Sequence, residues 1–85
     1  MGIKKIVLDV LKMLKGPTII DVARRLLEID GIKSVNIKVN EIDVETLTLT
    51  ITIEGTDIDF NTIKNVIEDL GGVIHSVDEV TATKE

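Results

Sequence analysis

Residues Val35 to Glu54 read VNIKVNEIDVETLTLTITIE. The second half alternates with a period of two, with Leu47, Leu49, Ile51 and Ile53 on one side and Thr48, Thr50, Thr52 and Glu54 on the other. Successive side chains of a strand point to opposite faces, so the stretch is expected to form an antiparallel ribbon with one apolar face and a turn near Asp43 to Thr46. An isolated hairpin is marginal in water, and the remaining residues must cover that face.

The flanking sequence supplies two further strands and two helices. Ile3 to Leu11 alternates with Ile6, Leu8 and Val10 on one face and Lys5, Val7, Asp9 and Leu11 on the other. Both faces are partly apolar, as an interior strand requires. Lys15-Gly16-Pro17 ends it, because proline has no ladder donor and glycine accepts turn geometry. Thr18 and Asp21 have capping-box spacing ahead of an apolar 3–4 pattern at Ile19, Val22, Ala23, Leu26 and Leu27, which predicts a helix over Thr18 to Asp30 with Gly31 at its C′ position. Ile32 to Asp43 follows as a strand with Val35, Ile37 and Val39 inward and Lys33, Asn36, Lys38 and Asn40 in water.

Beyond the ribbon, Asp59 is placed to cap a second helix through Phe60, Ile63, Val66, Ile67 and Leu70, which Gly71-Gly72 closes. In the last strand, Val73 to Thr83, Val73 and Val77 suggest one face and Ile74 and Val80 the other, so a bulge is expected between them. The order strand, helix, strand, strand, helix, strand describes two interlocked βαβ units. It predicts one ferredoxin-like α+β domain over residues 1–85: a four-stranded antiparallel sheet, order 4-1-3-2, with both helices on one face. In the detailed placement the first strand is expected parallel to the third and antiparallel to the fourth.

Composition narrows the function classes. Eighty-five residues bury only about 60 to 65% of the surface of the unfolded chain, which leaves a thin margin and favours self-association. Isoleucine and valine supply 24 residues while Phe60 is the one aromatic, so the core is built from stiff β-branched side chains and no surface is available for stacking bases. The absence of cysteine removes disulfides, thiolate metal sites and cysteine nucleophiles. Apolar runs are too short for a membrane span or a signal h-region, so a soluble, cytoplasmic protein is expected. The net charge of -5 repels nucleic acid.

That charge is divided unevenly. Residues 1–40 hold eight Lys or Arg against four Asp or Glu, whereas residues 41–85 hold two against eleven. The acids are spread through patterned elements rather than gathered in a tail, so the asymmetry points to a self-complementary surface. The two outermost strands contain no proline; the second carries Lys33 and Lys38, the fourth Asp78 and Glu79. Edge two of one subunit is therefore expected to meet edge four of the next, a head-to-tail contact that closes into a cyclic homo-oligomer. Arg24 and Arg25 on the first helix and Glu68 and Asp69 on the second agree with it, although within one subunit the same residues can neutralise each other.

Candidate sites are few. Asp9 on the open face is expected beside Thr50 or Thr52 on one side and His75 or Ser76 on the other, a polar cluster suited to a small ligand or ion, though such residues also make ordinary wet sheet surface. His75, the one histidine, has the chemistry of a general base, but it has no serine partner at a definable spacing and no catalytic residue is assigned. Asp57, Asp59 and Asn61, with Glu68 eleven residues after Asp57, approach the spacing of a calcium loop. Thr62 stands where that loop needs glycine, and the helix pattern from residue 60 competes with it, so helix capping is the simpler role of Asp59. A weak divalent site for calcium or magnesium using Asp57 or Glu54 in the turn, with Asp57 and Asp59 as the ligands singled out, is the remaining metal candidate.

The segments Lys4 to Lys12 (KKIVLDVLK), Val39 to Glu45 (VNEIDVE), Ile51 to Phe60 (ITIEGTDIDF) and above all Gly71 to Val80 (GGVIHSVDEV) resemble an uncharacterised archaeal family, domain of unknown function two-one-one. The resemblance implies a ferredoxin-like fold and a tendency to form cyclic homo-oligomers. It carries over no catalytic residue. Other proteins of this shape fit poorly: there is no Cys-x-x-Cys loop for a metal chaperone, no aromatics on the middle strands for RNA, and no arginine in a phosphate loop for an acylphosphatase. Amino-acid-sensing regulatory domains, which bind at oligomer interfaces through loops after the first strand, are not excluded. Two readings follow: a ring-forming structural or regulatory module binding a small ligand or divalent ion at subunit interfaces, or a small enzyme using Asp9 and His75.

Overall fold

The computed structural model describes residues 2–84. The elements are β1 (Gly2–Met13), α1 (Ile19–Leu27), β2 (Ile32–Ile42), β3 (Thr46–Gly55), α2 (Phe60–Asp69) and β4 (Gly72–Thr83). They form one sheet of order β2-β3-β1-β4, the ferredoxin-like α+β arrangement the pattern predicted. All three pairings are antiparallel, including β1 with β3. The expectation of a parallel first and third strand is corrected: each βα unit returns its second strand in the direction of the first, so the strand inserted between them runs oppositely.

The threonine ribbon behaves as its alternation requires. Leu47, Leu49, Ile51 and Ile53 are buried, and they lie level with Lys12, Val10, Leu8 and Ile6 of β1. Val22 and Leu26 of α1 and Ile63 and Ile67 of α2 close over the same face, joining one core with Ile32, Ile58 and Leu70. The turn from Asp43 to Thr46 is closed by the Asp43 N–H donating to the Thr46 carbonyl at 2.8 Å.

Thr18 caps α1 through a reciprocal box: its hydroxyl accepts from the Asp21 amide at 3.3 Å, and the Asp21 carboxylate accepts from the Thr18 amide at 3.0 Å. The helix is shorter than expected, ending at Leu27 with Glu28 as its C-cap, so Gly31 is not its C′ residue. Gly31 adopts φ +87 in the turn beyond, where its carbonyl takes the Thr56 amide at 2.8 Å and an added Cβ would sit 2.5 Å from the Thr56 carbonyl. Gly71, directly after the Leu70 C-cap of α2, has φ +85 and does fill the expected role.

β4 departs most from a simple alternation. Its register against β1 skips His75 and Asp78, and each bulge reverses the parity that follows. As a result Ile74, Val77 and Val80 pair with the buried Val10, Leu8 and Ile6 and share the helix side, while Val73 pairs with Leu11 on the open side. The expected bulge is present; the expected grouping of Val73 with Val77 is corrected by the bulge at His75.

Candidate functional site

The β1–β3 register sets Asp9 opposite Thr50, and the β1–β4 register sets Asp9 opposite Ser76. Cross-strand partners share a face, so these residues lie together on the side without helices. The bulge at His75 brings its ring over Asp9, with Nδ1 3.3 Å from the carboxylate Oδ2. Asp9, Thr50 and His75, singled out from sequence, are therefore neighbours. The Asn40 amide donates to the Thr50 hydroxyl at 2.7 Å, Ser76 donates to Asp78 at 2.7 Å, and Lys5 pairs with Glu79 at 3.1 Å.

This arrangement holds donors and acceptors in a row across the sheet, but it is washed by solvent. The His75 side chain is 78% exposed and that of Asp9 34%. A carboxylate on Nδ1 orients an imidazole as in a base–orienter pair, yet the nearby Ser76 hydroxyl is turned to Asp78 and is not aligned on the ring. Exposed ion pairs of this kind contribute only about 0.2–1 kcal/mol.

The metal candidates are placed differently. The Asp59 carboxylate accepts from the Asn61 amide at 3.0 Å and caps α2. Asp57 sits at φ +51 in the preceding turn, its carboxylate packed where a side chain on Gly2 would stand. Among the described residues no group of three or more His, Asp, Glu or Cys gathers into a cation cage. No helix among them is long and apolar enough to cross a membrane.

Sequence reasoning overlooked Lys12. It falls on the apolar side of β1, level with Leu47 and Gly72, and is only 3% exposed. Its ammonium donates to the Met13 carbonyl at 2.9 Å, so the stem crosses the core and the charge returns to the backbone at its margin. A charge in a run of alternating residues signals a wet face, and only the even position of Lys12 in register with Ile6, Leu8 and Val10 hinted otherwise.

Comparison with known proteins gives a family and carries no activity. A family model for DUF211, described as "Uncharacterized ArCR", matches residues 4–85. The chain is 51% identical over 84 residues to "Uncharacterized protein MJ0319" of Methanocaldococcus jannaschii, an alignment covering 99% of this chain and 86% of that protein. The ferredoxin-like chain described here belongs to the uncharacterised archaeal DUF211 family.

Proposed function

We propose that this protein is a self-assembling structural or regulatory module that joins copies of itself head to tail into a ring and takes a small polar ligand near the joins. One observation carries the reading. Val77 and Val80 lie opposite the buried Leu8 and Ile6 on the helix side of the sheet, yet they remain 48% and 54% exposed. α2 packs on β4 yet leaves these two valines uncovered, and covering each would contribute about 1 kcal/mol.

The opposite margin, β2, offers the matching chemistry. Its strand runs antiparallel to β4, because directions alternate across the order β2-β3-β1-β4. A neighbouring β2 laid along β4 thus continues the antiparallel sheet, with Lys38 facing Glu79 on the side without helices. Bulges on both edges, at Lys33 and Asn40 and at His75 and Asp78, limit regular pairing to Ser34–Val39 against Glu79–Thr83. Those bulges give the contact a fixed register. Because His75 belongs to the margin strand, the Asp9–Thr50–His75 cluster adjoins the join, and a ligand there would report on assembly. Light scattering at micromolar concentration is expected to give a multiple of the chain mass; a monomer would end this reading.

A further inference from the structure

The end of the molecule away from the Gly31 turn collects exposed apolar side chains around a cleft. Leu14 donates its amide to the Glu45 carbonyl at 2.8 Å, tying the exit of β1 to the β2–β3 turn. Between them lies an opening of about 240 Å³ lined by Met13, Leu14, Lys15, Val44 and Glu45. Met13 and Leu14 are about half exposed and Val44 is 85% exposed, which gathers three large apolar residues in water at one end of the sheet. Gly16, at φ +96 with open space around it, turns the chain directly after Lys15 and leaves the mouth unobstructed.

The charges at this mouth decide its chemistry. Lys15 and Glu45 have opposite sign, and among the described residues neither has an ion-pair partner. An apolar pocket with a few convergent polar groups is the usual form of a small-molecule site, and sites for drug-sized ligands run about 300–1,000 Å³. The volume here is smaller, the walls are a thioether and two aliphatic chains, and the rim offers one cation and one anion. A ligand complementary to all of these has a carboxylate, an ammonium and a short branched aliphatic body.

We propose that the cleft binds a free aliphatic amino acid of the leucine, isoleucine or valine class, its carboxylate at Lys15, its ammonium at Glu45 and its side chain against Met13, Leu14 and Val44. All five residues come from one chain, so the site goes beyond the assembly reading and does not depend on it.

The test is a titration of the full-length ¹⁵N-labelled protein with L-leucine, followed by amide shifts. Saturable movement of the Met13–Lys15 and Val44–Glu45 amides is expected, with a dissociation constant on the order of 1 mM, as suits a small open site. L-leucine amide, which lacks the carboxylate, and 4-methylpentanoate, which lacks the ammonium, should each bind roughly 3- to 5-fold more weakly, the worth of one exposed ion pair. Lys15→Met should erase the difference between leucine and leucine amide, and Glu45→Gln that between leucine and 4-methylpentanoate. Leucine leaving these amides unmoved, or binding no better than either truncated compound, would overturn the proposal. Sedimentation of the same samples reads assembly separately, so a monomer that still binds leucine would contradict only the ring.

Discussion

Single residues carry much of the strain and cost in this fold. Gly31 and Gly71 share left-handed backbone, but only Gly31 is pressed against a carbonyl. Gly71→Ala is therefore expected to cost about 1 kcal/mol from backbone strain alone. Gly31→Ala should cost clearly more, since Thr56 must also move; equal losses in urea unfolding would contradict the close approach. Lys12 gives a second comparison. Its stem packs in the core while its ammonium donates to the Met13 carbonyl, so Lys12→Met should be neutral or stabilising by about 1 kcal/mol, whereas Lys12→Ala should cost about 2 kcal/mol or more through the space it leaves. A Met variant as damaged as the Ala variant would show that the charge itself holds this end of the sheet together.

At the scale of elements, helix starts and the interior strands were legible in the sequence because each rests on a local rule. Thr18 and Asp59 cap where their spacing says they should, and the ribbon from Thr46 keeps an unbroken period of two. Asp59→Ala is expected to lower stability by about 1 kcal/mol through loss of the α2 cap. Calcium or magnesium should leave the wild-type melting temperature unmoved, whereas a rise of several degrees lost in Asp57→Asn would make the turn a metal site. The face assignments of β4 were not legible, because bulges at His75 and Asp78 reset the alternation and are dictated by pairing with β1 rather than by local preference. The Asp9–Thr50 juxtaposition followed from sharing a face, while the reach of His75 to Asp9 depends on one of those bulges. The cleft lay outside sequence reasoning altogether: Leu14 and Glu45 are far apart in the chain and meet only through the sheet order and one backbone hydrogen bond.

The whole molecule is long and thin, with extents of 44 × 22 × 17 Å, and Val77 and Val80 of β4 stay about half exposed on its helix side. A fold of this size has little core to spare, and the proposed assembly would cover the apolar residues left half in water at one margin with the oppositely charged margin of a second copy. Replacing Val77 and Val80 together with aspartate should separate the copies while leaving each one folded, because neither side chain belongs to the buried core. Sedimentation velocity at micromolar concentration tests this most directly. Wild type should sediment as a defined multimer and the Val77→Asp, Val80→Asp variant as a folded monomer; a wild type that already sediments as a monomer, or a variant that assembles as before, would contradict it.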